Sequence, residues 1–277
     1  MKVARAWAPA NISLLFKVMP HTDPSKMGSL GSGFTVNEGA TVNVQLGTSI
    51  ITYNGKPITL PTVSEVIRNL TPKSLSVSIR SPLPLGSGFG MSGAAALSTA
   101  YAINQLVSLG KTELELAKIA HTAEVIHKTG LGDVGNQWKG GCCVKFVTSS
   151  LFQMERLPFA GTTVYVRSWG KIPTPEILSN ATLLTKIDAA GDHSLAILKK
   201  HTHTSSFSFA QLLNIASTFT RESELLSYAA HARKVIQKIA ASGGHAAMII
   251  LGDAVVSDTQ FEGSMPLVIT QKGVRLV

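Results

Sequence analysis

Over its first eighty residues the chain alternates apolar and polar positions at strand spacing, and from residue 91 the apolar residues crowd together as in a buried helix. Strand-like runs fall at 3–8, 12–18, 40–46, 49–53 and 74–80. Pro9 separates the first two, a Gly/Ser segment at 28–33 follows the second, and Asn54-Gly55 marks a hairpin turn. A small-residue helix is expected from 91 to about 109, and Thr112 with Glu115 forms a capping box that opens a second helix ending near 128. Residues 140–148 read as a strand. The pattern loosens over 152–162, which suggests two units, 1–155 and 156–277. Beyond it come a strand at 163–168, helices at 185–199, 209–218 and 223–241, and apolar runs at 246–251 and 266–270 that complete a small sheet. There is no internal repeat and no low-complexity tract.

Composition narrows the class. With 277 residues, 44% apolar and 15% charged, the chain can bury a substantial core and is not disordered. No apolar run reaches the roughly 18 residues needed to cross a bilayer, and the first residues read as a strand rather than a signal peptide, so no membrane association is expected. The two cysteines, Cys142 and Cys143, are adjacent and cannot readily bridge, which fits a reducing, cytoplasmic setting. A formal charge of +9 would suit nucleic acid only if the cations clustered among aromatics, and they are scattered. A positive field that draws in small anions is the better reading.

The segment PLPLGSGFGMSGAAALS, residues 82–98, identifies such an anion. Gly86, Gly88, Gly90 and Gly93 lack a Cβ, so the backbone can take positive φ and press its N–H groups onto a phosphate. The helix that follows directs its positive end there, with Ser92 at its mouth. The dinucleotide fingerprint fails because Pro82 and Pro84 stand where a strand must end, and the P-loop fails because Gln105 occupies its first glycine position.

A second cluster, HTAEVIHKTGLGDVGNQWKGG, runs from 121 to 141. Glu124 sits on the inward face of its helix, where a carboxylate is either ion-paired or functional. The helix ends at Gly130, and Gly132 opens a turn that presents Asp133. Two such carboxylates can divide labour, the first holding Mg²⁺ and the second orienting or deprotonating an attacking hydroxyl. His121 reads equally as a substrate contact or as a core hydrogen bond, Ser29 and Ser32 suit a tight turn or would bind substrate or ADP, and His201 with His203 lacks any neighbouring carboxylate or cysteine that would complete a metal site.

The run from Pro84 through Gly88-Phe89-Gly90-Met91-Ser92-Gly93-Ala94 resembles the GHMP kinase family of small-molecule kinases. The stretches APANISLLF, HTDPSKMGSLGSGF, GLGDVGNQWKGG and GGHAAMIILGD extend the resemblance over nearly the whole chain, toward the archaeal branch that phosphorylates pantoate. The resemblance implies an α+β fold of two domains, an N-terminal ribosomal-protein-S5-like one and a C-terminal ferredoxin-like one. It implies ATP held by Pro84, Gly86, Ser87, Gly88, Gly90, Met91, Ser92, Gly93 and Ala94, and Mg²⁺ held by Ser92 and Glu124. Asp133 would be the base, and Ser29, His121 and Lys145 would bind the acceptor. It further implies 4-phosphopantoate as product, a step in coenzyme A synthesis, and a homodimer. Homoserine or shikimate as acceptor, or a non-catalytic ligand sensor on the same fold, are the alternatives. Two positions depart from the pattern: Asn11 stands where mevalonate- and galactokinase-type members carry a cation, and Lys145 where arginine is expected.

Overall fold

Pro9 does not end the first strand. It lies inside a single strand, β1 (Val3–Met19), because register shifts between Pro9 and Asn11 and between Ser13 and Leu15 absorb the missing donor as bulges. The computed structural model describes residues 2–147, 152–172, 174–204 and 206–277. Beside β1 runs β2 (Gly28–Leu46), followed by β3 (Ile50–Tyr53), β4 (Lys56–Pro57), α1 (Pro61–Leu70) and β5 (Leu75–Arg80). Then come α2 (Met91–Val107), α3 (Glu113–Ile126), α4 (Asp133–Lys139), β6 (Cys142–Lys145) and β7 (Glu155–Leu157). The remainder comprises β8 (Thr163–Lys171), α5 (Thr174–Ser179), α6 (Ala181–His201), α7 (Phe209–Glu222), α8 (Ala230–Ala241), β9 (Ala246–Met248), β10 (Gly252–Ser257), β11 (Met265–Val268) and β12 (Arg275–Leu276).

Two sheets result. The first has the order β12-β1-β2-β5-β3-β4, with β6 pairing the first part of β2 and β7 pairing β6. The second has the order β11-β8-β10-β9. Helix α2 packs on β1 and β2 and is buried nearly all round, as its Ala-rich sequence allows: Ala94, Ala95, Ala96, Ala100 and Ala102 have no exposed surface, and their small size lets helix and sheet approach closely. Helix α6 also lies against β1, fixed by an ion pair between Lys17 and Asp192 at 2.6 Å and by a bond from the Val18 N–H to Asp188 Oδ1 at 2.9 Å. The edge contact of Phe16 with Phe219, ring centroids 5.9 Å apart, extends this junction to α7.

Several elements differ from the expectations above. The Gly/Ser segment at 28–33 is the opening of β2, not a turn, because its small residues sit between β1 and β6 where larger side chains would meet backbone. Helix α1 went unread, although Pro61 at its first turn and Val63, Val66, Ile67 and Leu70 at helical spacing mark it. The expected helix at 223–241 is divided by Ser223 and by Glu224, whose φ of 61° ends α7, into a one-turn 3₁₀ segment, Leu225–Tyr228, and α8. The run 246–251 is strand only in β9; its remainder turns into β10. The strand expected at 140–148 is β6, and Thr148 lies outside the described residues. The chain's end does not stay with the second sheet: β12 returns to pair with β1. The Asn54-Gly55 turn forms as its dipeptide requires, both residues at positive φ between β3 and β4. Both cysteines are buried and free.

Candidate active site

The bulges of β1 dock two loops. At the first, the freed Asn11 N–H donates to Phe89 O of the glycine loop at 3.1 Å. At the second, Ser13 O accepts from the Ile250 N–H at 3.1 Å, which brings the segment between β9 and β10 onto the same spot. Gly88 is wedged there: a Cβ on it would lie 2.8 Å from Ile249 Cγ2 and 2.9 Å from Ile250 O. The loop then enters α2 through Gly90, left-handed at φ 59°, so the free N–H groups of the helix start face the cleft. Gly93 lies in the helix rather than at positive φ, and its missing side chain serves close packing, since a Cβ would meet Gln137 Oε1 at 2.8 Å.

Asp133, the first residue of α4, faces this loop; a Cβ on Gly90 would lie 3.2 Å from its Cγ. Asn11 Nδ2 at 2.7 Å and Ser13 Oγ at 2.9 Å both donate to Asp133 Oδ1. Glu124, near the end of α3 and almost fully buried, accepts from Ser92 Oγ at 3.1 Å and from Thr129 Oγ1 at 2.9 Å. Burial first, and the charge of Asp133 second, push Glu124 up to about 8, while the bonds from Thr129 and Ser92 oppose the shift. Burial also raises Asp133, opposed by its bonds from Ser13 and Asn11. Gln137, one turn further along α4, donates to Gly90 O at 2.7 Å and ties the carboxylate-bearing helix to the loop.

Lys145, on β6, lies in the same cleft and is 8% exposed; burial pushes its ammonium down to about 8. Its Nζ has no partner among the described residues. His121 donates through Nε2 to Met27 O at 2.7 Å, and burial, more than the nearby Lys145, lowers its pKa, so Nδ1 remains an acceptor. Ser29 lines the cleft beside Gly132. Phe16, Leu131, Phe152 and Met154 supply an apolar wall. The cleft thus gathers Ser29, Gly86, Gly88, Gly90, Met91, Ser92, His121, Asp133 and Lys145. Pro84 is exposed and does not line the cleft, Ser87, Gly93 and Ala94 are buried away from its lining, and Ser32, which also lines it, donates to Cys143 O at 3.0 Å.

Sequence reasoning missed Ser13, Thr129, Asn136, Gln137 and Lys171. Asn136 and Gln137 follow Asp133 at helical spacing, a signal hidden by reading α4 as a turn. Lys171, at the end of β8, lays its side chain across Gly86, 2.8 Å from Cε to the place of a Cβ, and nothing local points to it.

The oxygens of Ser92 and Glu124 suit Mg²⁺, a hard cation that keeps waters and phosphate oxygens in its shell and needs only one or two protein ligands. Gly130 keeps the space beside them clear: a Cβ there would stand 2.7 Å from Glu124 Oε2 and 3.4 Å from Asp133 Oδ2. Among the described residues no cluster of three or more His, Cys, Asp or Glu is placed to hold a metal ion.

Comparison with known proteins places the chain in a family. Residues 60–141 match the GHMP kinases N terminal domain. The pantoate kinase of Methanocaldococcus jannaschii is 31% identical over 206 residues, 73% of this chain and 75% of that protein. That of Thermococcus kodakarensis is 33% identical over 217 residues, 71% and 69% of the two chains. A solved structure described as a phosphotransferase related to the CoA biosynthesis pathway superposes with a TM-score of 0.85 at 25% identity, covering 100% of this chain and 99% of that one. Homoserine kinase from Cytophaga hutchinsonii, at a TM-score of 0.66 and 18% identity over 100% of this chain and 98% of its own, shares the fold.

Proposed function

The chain belongs to the GHMP kinase family, and we propose that within it this protein transfers the γ-phosphoryl group of ATP to the terminal hydroxyl of pantoate, yielding 4-phosphopantoate for coenzyme A synthesis. The observation that carries the reading is the facing pair of glycine loop and Asp133 in a cleft that also holds a buried lysine with no partner among the described residues. Pantoate has the matching shape: a carboxylate at one end, the reacting hydroxyl at the other, and two methyl groups between. In this reading Lys145 holds the carboxylate, His121 and Ser29 bond the inner hydroxyl, and the apolar wall takes the methyls. Asp133 Oδ2 accepts the proton of the terminal hydroxyl as its oxygen attacks the γ-phosphorus, and ADP departs. The N–H groups at the start of α2 and of the glycine loop hold the phosphates in line. Bound through Ser92 and Glu124, Mg²⁺ would neutralise phosphate charge. The two free buried cysteines support a reducing cytoplasm, and assembly as a homodimer is part of the same proposal.

Homoserine would bring an ammonium group toward Lys145, which disfavours it. Release of ADP, followed by a coupled assay with Mg²⁺ across pantoate, homoserine, shikimate and mevalonate, tests the assignment. Turnover is expected with pantoate; faster turnover with any of the others would refute it.

A further inference from the structure

Asp133 is held by a relay that begins on its own helix. Asn136, three residues along α4, donates through Nδ2 to Asn11 Oδ1 at 3.0 Å. Asn11 has no exposed surface, so its carboxamide must satisfy both ends inside the protein. With Oδ1 taken by Asn136, the Nδ2 end faces Asp133 and Ser13, at 2.7 and 3.0 Å. The opposite orientation of the amide would set a carbonyl oxygen against a carboxylate and two donors against each other. Ser13 adds its hydroxyl to the same Asp133 oxygen. Oδ1 of Asp133 is therefore saturated with donors, while Oδ2 carries no bond among the described residues and faces the space beside Gly130.

We propose that Asn136 is a positioning residue for phosphoryl transfer: by fixing the amide of Asn11 it commits Oδ1 of Asp133 to the protein and reserves Oδ2 for the acceptor hydroxyl. The proposal rests on Asp133 being the base. The neutral amide does by orientation what a cation at position 11 would do by charge, and it aims the carboxylate without pairing it. A base free to turn about its side-chain torsions would spend part of its time aimed away from the hydroxyl, so loss of the relay lowers kcat more than substrate affinity.

Two near-isosteric variants, each alone and in an Asp133→Asn background, test this. Asn136→Leu removes the donor without charge, and Asn136→Asp replaces it with an acceptor that forces the Asn11 amide to turn over. Both should lower kcat by about tenfold or more, Asp more than Leu, with KM for ATP within about twofold of wild type. In an Asp133→Asn background, itself expected to be slower by about a hundredfold, neither should lower kcat further. A structural role alone predicts losses that follow the melting temperature and persist in the Asp133→Asn background. A folded Asn136→Leu protein with wild-type kcat overturns the relay while leaving Asp133 as base. Wild-type kcat in Asp133→Asn overturns the base assignment itself.

Discussion

Lys145 shows how burial can set a residue's working range. An ordinary lysine stays charged far above neutrality, but the walls around this one penalise its ammonium and bring the pKa down to about 8. Below that value the charged form predominates and can meet a carboxylate; above it the charge is lost. Since kcat/KM reports the free enzyme, its value for pantoate should fall as pH rises through about 8, the direction in which a depressed lysine loses its proton. Lys145→Arg should lose that fall, because a guanidinium does not titrate there. Lys145→Met should raise KM for pantoate by about ten- to a hundredfold with little change for ATP, the range for one charge-assisted hydrogen bond. Steady-state kinetics across pH settle the matter: a wild-type profile unchanged well past 8 would move the carboxylate to another cation.

At the scale of elements, the candidate cleft is assembled where regular structure is interrupted. Each bulge in β1 surrenders ladder hydrogen bonds and uses the freed groups to hold a loop, Phe89 at one and Ile250 at the other. The segment between β9 and β10 is thereby pressed on Gly88, and the end of β8 comes to the loop beside Gly86. Lys171 brings an exposed cation with it, its stem packed on the loop backbone and no ion pair among the described residues. A polyphosphate seated in the loop would meet that charge. Lys171→Met is accordingly expected to raise KM for ATP several-fold, about the loss of one partly solvated charge contact, while KM for pantoate stays put. Equal KM values for ATP in variant and wild type, measured by initial rates, would show that the side chain only packs.

For the molecule as a whole, the last residues of the chain belong to the site's support. Thr270 N donates to Thr35 O at 2.9 Å and Thr270 O accepts from Gly141 N at 2.8 Å, joining the segment to β2 and to the end of α4. Val274 N donates to Gln137 O at 2.9 Å, so the chain's end touches the helix that carries Asp133. β12 then closes the edge of the first sheet, with the Arg275 guanidinium 4.1 Å from the ring centre of Trp7. Removing residues 273–277 should lower the melting temperature by several degrees, at about 2–4 °C per kcal/mol in a protein of this size, and reduce kcat because α4 loses an anchor. Calorimetry and kinetics on the truncated chain check both, and wild-type values in each would show that the end is dispensable.

Local chemistry made the core of the site legible. A left-handed helix start is easiest for glycine, a phosphate cradle needs bare backbone, and Thr112 with Glu115 can cap a helix unaided, so the loop at 82–98 and the start of α3 were readable from spacing alone. Ser92, Glu124 and Asp133 could be named because each sits beside such a signal. What the residues could not reveal is which distant groups meet them. Asn11 and Ser13 reach Asp133 across more than a hundred residues only because β1 bulges instead of stopping at Pro9, an outcome decided by the gain from pairing along β2 and burying β1 under α2 and α6. The same holds for Lys171 over Gly86 and for β12 on β1. Short-range sterics and hydrogen bonds are written in neighbouring residues; long-range pairing is chosen by the free energy of the assembled core, which no window of sequence contains.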